Sequence, residues 1–573
     1  MSSIDFTLKI GGEAGFGIAS SGIIFAKTLN RLNYHTYGYL EYPSLIRGGH
    51  NVYEVHVADE KVYSQESKVD ILICLNKETF ELHKDELKSG AVVVFDGDKT
   101  KIDEAGDYHL YSASVAKMTK DLGGSQVMEN NVFLGIALAL MQADQKAILE
   151  VVADIFAKKG EKIINKNHEL IKAGYDYVKD NLLPDFKLEL TKQEKKDDLV
   201  MTGNEAVSLG AIAADCRLYA AYPMTPASSI LHVMAAYSDQ SKMVVKHVGD
   251  EIEAINLIIG SAYAGIRAMT GTSGGGFALM NEGLGLAGIT ESSLVIVESQ
   301  RPGPATGVPT WTGQGDLQYL IHASQDEFPR IILAPGDPLE IYLLAQKAFN
   351  LADIYQTPVF ILLDKYLSEG LSSVSRLRMQ KMAIERGKLM KEGKLKKGFV
   401  RYEVTKDGIS PRSIVGQKNG EFMANSYEHN EYGLSTEDSA EIIAQRDKRI
   451  RKMDTYLDNH FEEPKHFGNE EAELTLISWG STKASVLEAM RKMDKRVNYL
   501  HFNHVYPLDK EVISSLLNKT KKSLLLEGNS QGQFGMLLRE QTGWQPTETF
   551  LRYDGRPFYP EEIREKVKEM LDN

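Results

Sequence analysis

Apolar residues recur along this chain in two rhythms. IDFTLKI alternates apolar and polar positions as a half-buried strand does, and HTYGYLEY reads as a second strand. VDILICL and GAVVVFDG are compact apolar runs of strand length, bounded by polar residues or glycine. Between and after them, ASSGIIFAKTLNRL, NNVFLGIALALM and AILEVVADIFAKK carry apolar residues at helical spacing. Strand and helix alternate through about residue 185, which predicts a mainly parallel sheet with helices on both faces. The charged stretch LTKQEKKDDLV follows Pro184 and reads as a linker. A second α/β pattern opens at Gly203, with helices over GNEAVSLGAIAADC and DEIEAINLIIGSAYAG and strands over SSLVIVES, RIILAP and TPVFILLD. Between about 370 and 465 the pattern breaks: RMQKMAIERGKLMKEGKLKKG is basic and helical by propensity, and RYEVTKDGISPRSIVGQKNGEF is polar and turn-rich. That stretch reads either as a flexible linker or as an ordered excursion across a partner surface. A third α/β unit follows, with strands ELTLISWG, VNYLHFN and KSLLLEG. No repeat of fixed period is visible.

At 573 residues the chain is long enough for three or four domains. Its net charge of -13 gives no general attraction to nucleic acid or to an anionic membrane surface. Two cysteines, Cys74 and Cys216, are too few for a thiolate-held iron–sulfur cluster and read as buried thiols. The start MSSIDFTLKI lacks the basic and apolar regions of a signal peptide, and no apolar run reaches membrane-spanning length. The expectation is a soluble cytoplasmic protein.

Several segments carry candidate chemistry. In GGEAGFG, Gly12, Gly15 and Gly17 lie between a strand and a helix, where backbone N–H groups and a helix N-terminus suit a phosphate. Such turns also serve only to pack a strand on a helix. EYPSLIRGGHN follows the second strand, and Arg47 beside Gly48 suits an anion, unless it is a solvated surface arginine. Both segments are expected at the carboxyl edge of one sheet. In YPMTPASS, Tyr222, Pro223 and Pro226 stiffen a loop around Thr225, and the serines can cap the next helix. Glu251 and Glu253 lie about 200° apart on a helix, so one can enter a site while the other faces solvent. Thr272 and Ser273 open the glycine run TSGGG, and Arg301 follows a buried strand as a counter-charge for a carboxylate.

The order Gly203-Asn204-Glu205-Ala206, YPMTPAS, DEIEA, TGTSGGG, RPGPATG and GQGDL resembles the α chain of 2-oxoacid:ferredoxin oxidoreductases. GEAGFGI and EYPSLIRGGHN resemble the family's γ domain, fused ahead of α. RYEVTKDGISPRSIVG, EHNEYG and DKRIRK resemble the middle segment of the 2-oxoglutarate type. WGSTK, HFNHVYPL and EGNSQGQ resemble the transketolase-like C-terminal domain. The resemblance implies a multidomain α/β chain: a γ domain with a mainly parallel sheet over 1–188, a linker over 189–200, and a thiamine pyrimidine-binding domain over 201–370. A linker or partner-wrapping segment over 371–465 and a transketolase-like domain over 466–573 complete it.

It further implies coenzyme A-dependent oxidative decarboxylation of a 2-oxoacid on thiamine diphosphate, with electrons passing to ferredoxin. Glu251 matches the glutamate that pairs with the aminopyrimidine. Thr225 and Arg301 match substrate contacts, and Tyr222, Pro223, Thr272 and Ser273 line the cofactor region. Gly12, Gly15, Gly17, Arg47 and Gly48 belong to the coenzyme A region. The sequence has neither a G-D-G…N-N diphosphate motif nor cluster cysteines. Mg2+ and a [4Fe-4S] cluster are therefore expected on a separate β subunit, in an (αβ)2 assembly, with no metal on this chain. Ala14 and Phe16 interrupt the usual glycine turn, and Gly275 stands where proline is common. The middle segment favours 2-oxoglutarate. Pyruvate or branched-chain acids are the neighbouring alternative, and a non-catalytic assembly subunit is the alternative of another class. A nicotinamide dehydrogenase is a weaker third, because Glu41 is better explained by the EYPSLIRGGH match.

Overall fold

The computed structural model describes residues 4–45, 48–181, 186, 188–391 and 393–572. Three sheets organise them. The first carries β1 (Asp5–Glu13), β2 (His35–Glu41), β3 (His50–Ala58), β4 (Val69–Cys74), β5 (Leu87–Asp96) and β6 (Tyr108–Ala113), in the order β6-β5-β4-β1-β3-β2. The four strands β6-β5-β4-β1 are parallel, while β3 runs antiparallel to both β1 and β2. The sheet is thus mixed. β2 and β3 are joined by the short EYPSLIRGGH segment with no crossover helix, so they pair as a hairpin does. β1 is buried along nearly its whole length on both faces, which the alternation in IDFTLKI did not predict.

Two later strands extend this sheet: Leu371–Ser375 pairs with β2, and β7 (Asp198–Thr202) pairs beyond it. The charged stretch before β7 is not a loose tether. The Leu190 N–H donates to the Met141 carbonyl and the Gln193 N–H to that of Leu32, and Leu190 is buried.

The second sheet holds β8 (Leu218–Ala221), β9 (Val244–His247), β10 (Ala268–Thr272), β11 (Leu294–Gln300), β12 (Ile331–Leu333) and β13 (Pro358–Asp364), in the order β12-β13-β11-β10-β8-β9. All these pairs are parallel. The helices between them start where the sequence supplies caps. Thr202 and Glu205 form a reciprocal capping box on the helix Gly203–Ala213, and Asp250 and Asp337 cap Glu251–Tyr263 and Pro338–Tyr355. Ser228 and Ser229 do not cap the helix Ser228–Ala236 as expected. Ala227 occupies the cap, and Ser229 Oγ accepts from Asn204 Nδ2 at 2.7 Å.

After β13 the chain returns to the first sheet as β14 (Leu371–Ser375). The basic stretch that follows is not helical beyond a single turn at Arg376–Arg378. It lies extended along the helix Pro338–Tyr355, whose side-chain amides take the backbone bonds that a helix would have made internally. Gln346 Oε1 accepts from Met382 N at 2.8 Å, and Asn350 bonds both Ala383 O and Glu385 N. The helix Ser439–His460, capped by Asp438, closes the excursion. Residues 382–385 are thus held on the helix Pro338–Tyr355 of their own chain.

The third sheet contains β15 (Lys465–Gly468), β16 (Leu474–Trp479), β17 (Val497–Phe502), β19 (Lys522–Glu527) and β20 (Glu548–Leu551), in the order β15-β17-β16-β19-β20. The short β18 (His504–Tyr506) crosses to the edge of the second sheet beside β12. One apolar core spans the junction and includes Ile332 and Phe360 from the second sheet with Trp479, Phe502 and Phe534 from the third unit. Among the described residues no helix is long and apolar enough to cross a membrane.

Candidate active site

In a parallel sheet the loops leaving the carboxyl ends of the strands converge on one edge. Here β8 leads into Tyr222, β9 leads to Glu251, β10 ends at Thr272 just before Ser273, and β11 delivers Arg301. The fold therefore brings Tyr222, Pro223, Thr225, Glu251, Thr272, Ser273 and Arg301 to one side of one sheet. Arg301 Nη1 donates to the Thr225 carbonyl at 2.8 Å, so the arginine braces the threonine loop. Asn204 braces it from beneath, donating through Nδ2 to Pro226 O at 2.8 Å.

Glu251 is the first residue of its helix and is only 3% exposed, although carboxylates are rarely buried without a partner. Its Oε1 has no hydrogen-bond partner among the described residues. Glu253 faces solvent and accepts from the Gly249 N–H at 2.7 Å. The two carboxylates divide as their helical spacing predicts. Gly276 faces Glu251 across the turn after β10, and a Cβ there would overlap Glu251 Oε1 and Thr272 Oγ1. Ser273 Oγ is also buried and unpartnered. A buried carboxyl oxygen left open beside a glycine turn fits a group whose ring nitrogen can share a proton with it, as an aminopyrimidine's can.

The N-terminal glycine segments meet as well. β1 ends at Glu13, which pairs with His50 at the start of β3, and the Ala14 N–H donates to the Gly49 carbonyl at 3.3 Å. Gly12 lies within β1, while Gly15 and Gly17 have φ of 95° and 73°. Gly17 is the residue before the helix Ile18–Arg31 and offers it no side-chain cap. Open space surrounds the missing side chains of Gly15 and Gly48. This is a backbone cradle at a helix N-terminus, which fits a phosphorylated ligand. Arg47 lies outside the described residues. Behind the cradle, His50 Nε2 and His83 Nε2 are 2.8 Å apart, and His83 Nδ1 is 3.0 Å from Glu86. Burial, and then the adjacent His83, hold the His50 imidazole down at about 4.

Two family models match this chain: "Pyruvate ferredoxin/flavodoxin oxidoreductase" over residues 7–177, and "Pyruvate flavodoxin/ferredoxin oxidoreductase, thiamine diP-bdg" over 209–448. The α subunit of 2-oxoacid:ferredoxin oxidoreductase 2 from Aeropyrum pernix is 32% identical, with 99% of this chain and 98% of that protein covered. The chain belongs to the 2-oxoacid:ferredoxin oxidoreductases. The 2-oxoglutarate synthase subunit KorA of Methanothermobacter thermautotrophicus is 30% identical over 65% of this chain and 99% of its own length. The solved 2-oxoglutarate:ferredoxin oxidoreductase from Magnetococcus marinus, with 2-oxoglutarate, coenzyme A and succinyl-CoA bound, aligns with a TM-score of 0.92 at 32% identity, covering 99% of each chain.

The thiamine-diphosphate-binding domain of this oxidoreductase contains site-edge residues that the motif reading missed. Glu298 of β11 is fully buried, and neither of its oxygens has a donor partner. It faces Asp316. Burial first, then the Asp316 and Asp364 charges, raise its carboxyl well above the usual range, and burial raises Asp316 too. The pair is stable when it shares a proton. Asp316 also lies against Gly274, where a Cβ would approach Oδ2 to 2.6 Å. The signal was a lone carboxylate inside the apolar run SSLVIVES. Gln314 fastens the same edge to the C-terminal unit of the oxidoreductase. Its Nε2 donates to Trp479 O at 3.1 Å, and its Oε1 accepts from Gly528 N at 2.7 Å and Thr482 Oγ1 at 3.1 Å. The three motifs GQGDL, WGSTK and EGNSQGQ therefore meet at one residue.

Proposed function

We propose that this chain is the α subunit, with a γ domain fused ahead of it, of an enzyme that converts 2-oxoglutarate and coenzyme A to succinyl-CoA and CO2, with electrons passing to ferredoxin. The carrying observation is Glu251: a buried carboxylate with Oε1 open, cradled by Gly276 at the carboxyl edge of a parallel sheet. Thiamine diphosphate, when bound, supplies the nucleophilic carbon and the electron sink for decarboxylation. With that cofactor bound, Glu251 would hold a proton at Oε1 for its pyrimidine ring, and burial of the carboxyl would keep that hydrogen bond strong. Arg301, already fixed on the Thr225 carbonyl, directs its remaining N–H groups to the substrate carboxylate. Thr225 lies beside it. Tyr222, Pro223, Thr272 and Ser273 shape the wall. The cradle of Gly12, Gly15, Gly17 and Gly48, with Arg47, takes coenzyme A.

The choice of 2-oxoglutarate rests on the middle-segment motifs and on the likeness to the Magnetococcus marinus enzyme. We assign Mg2+ and the [4Fe-4S] cluster to a β subunit, in a cytoplasmic (αβ)2 assembly whose acceptor is ferredoxin.

The test is coenzyme A-dependent reduction of a viologen dye by this chain co-expressed with its β partner, using 2-oxoglutarate, pyruvate and 2-oxoisovalerate. Activity that needs both chains and favours 2-oxoglutarate supports the proposal. Faster turnover of either other acid overturns the substrate. Absence of turnover with all three, from a complex with intact clusters and bound thiamine diphosphate, overturns the catalytic role.

A further inference from the structure

The motif RYEVTKDGISPRS has no part in the site above, yet it buries two arginines. Arg401 is 3% exposed and Arg412 is 5% exposed. Arg401 donates through Nη2 to the Glu291 carbonyl at 3.3 Å, but its Nε and Nη1 have no partner, and neither has Arg412 Nε. Leaving such donors unpaired is costly.

The surrounding charge is lopsided. Asp353 faces three guanidinium groups, those of Arg267, Arg386 and Arg412, each at 2.8 Å. Glu291 faces Lys448 at 2.6 Å and Lys452 at 2.5 Å. With Arg401, six cations surround these two carboxylates among the described residues. Buried charge of one sign is stable only with counter-charge. Burial depresses the Arg401 guanidinium by more than Tyr402 and Glu291 raise it, and the neighbouring Arg412 charge adds to the depression.

Both arginines line a cavity of about 280 Å3, between the helices Glu251–Tyr263 and Asn281–Ile289 and the excursion. Its other walls include Ile259, Tyr263, Leu286 and Phe422, with Ser293 and Asn425 as polar points. The volume approaches the lower end of small-ligand pockets, about 300–1,000 Å3. Guanidinium groups recognise planar oxyanions in paired fashion, and the apolar walls suit a carbon skeleton. The helix Glu251–Tyr263 carries Glu251 at one end and this cavity at the other, so the cavity is separate from the catalytic edge.

We propose that this cavity is a second ligand site that binds a free small monocarboxylate with an apolar body, its carboxylate seated between Arg401 and Arg412. The site is independent of which 2-oxoacid is the substrate.

The test uses isovalerate, with the isosteric neutral isovaleramide as control, titrated calorimetrically into the assembled complex and into the full chain alone. Wild type should bind isovalerate and not the amide. Arg401→Gln should weaken binding at least tenfold, while Arg301→Lys, altered at the catalytic edge, should keep it. Ala424→Phe fills the cavity from its wall while leaving every charged residue in place and should abolish binding if Arg401→Gln does not fold. Equal binding of acid and amide, or loss in Arg301→Lys with retention in Arg401→Gln, overturns the proposal. So does binding to the free chain that vanishes in the complex, since the cavity would then be filled by a partner side chain.

Discussion

Gly276 leaves the space into which Glu251 Oε1 projects, and any side chain at position 276 would collide with that carboxylate. The glycine turn after β10 and the first residue of the helix that precedes β10 are therefore one device, assembled from two motifs 25 residues apart. Gly276→Ala should displace the carboxylate while leaving the apolar core untouched. Turnover of the complex should fall on the order of 100-fold, the lower range for losing a positioned proton-transfer group. Glu251→Gln should lower it at least as far. Gel filtration of both variants should still give the full assembly. Normal turnover in Gly276→Ala would mean that Glu251 has no role in the chemistry.

Arg301 makes a separable contribution. One of its nitrogens is committed to the Thr225 carbonyl, and no other hydrogen bond holds the fork among the described residues, although the charges of Asp316 and Glu298 act on it. Lysine keeps the charge but offers no planar fork. Arg301→Lys should raise KM for the 2-oxoacid by about tenfold, as for one charge-assisted hydrogen bond of ~1.5 kcal/mol, with a smaller change in kcat. Initial-rate kinetics with varied 2-oxoacid read the split. An unchanged KM would remove Arg301 from substrate binding.

Much of this site was legible from its motifs. RPGPATG follows the strand read over SSLVIVES, whereas the short strands β8, β9 and β10 that lead to YPMTP, DEIEA and TGTSGGG were not read; those motifs stood out by family resemblance, and the parallel sheet gathers them. Glu298 and Asp316 were not legible as a pair. Their meeting depends on the loop after Arg301 folding back on β11, and neither residue has a periodicity that marks it. The cap at Ala227 was misread because Ser229 has a better partner in Asn204, a contact that no local pattern encodes. The basic stretch after Arg378 was misread for a related reason. Propensity is a weak prior, and the amides of Gln346 and Asn350 outcompete it. The parallel part of the first sheet, β6-β5-β4-β1, was as expected, while the antiparallel pairing of β2 with β3 was not anticipated, because a hairpin and a crossover look alike when judged by strand pattern alone.

The C-terminal unit is fastened to the thiamine domain by a buried ion cluster. Lys483 Nζ is 2.5 Å from both Asp337 Oδ2 and Glu340 Oε1, and Glu340 Oε2 is 3.2 Å from His501 Nε2. Burial by itself raises the Glu340 carboxyl, but Lys483 and then His501 reverse this and hold it well below the usual range. A carboxyl depressed in the folded state adds stability that is complete above its unfolded value, near 4.5, and is lost as pH falls toward the folded value. Thermal unfolding followed from pH 7 to pH 3 should therefore show a decline that begins below about pH 5. Lys483→Met should cost about 3–5 kcal/mol at neutral pH, because it strands buried carboxylates, and should flatten the acid decline. A variant with wild-type stability and an unchanged pH profile would show that the cluster contributes nothing net.

The extended stretch after Arg378 is held by few groups, which makes it the most easily loosened part of the excursion. Asn350 alone accepts from Glu385 N at 3.1 Å and from Arg267 Nη2 at 2.9 Å, and donates to Ala383 O at 2.8 Å. Leucine at this position keeps the volume but makes none of these bonds. Residues 380–386 would then rest on Gln346, on Arg267 Nη2, which donates to the Glu385 carbonyl at 2.6 Å, and on Arg386, which reaches Asp353 at 2.8 Å and donates to the Gly265 carbonyl at 2.6 Å. Asn350→Leu should cost about 1–3 kcal/mol of local stability, the price of one buried amide left without partners. Local opening should rise by about tenfold or more, which trypsin reads directly as faster cleavage after Lys381 or Arg386. The catalytic edge lies at the other end of the sheet, so the KM for the 2-oxoacid should not move. Cleavage at the wild-type rate would show that the strap is held mainly by Gln346, Arg267 and Arg386.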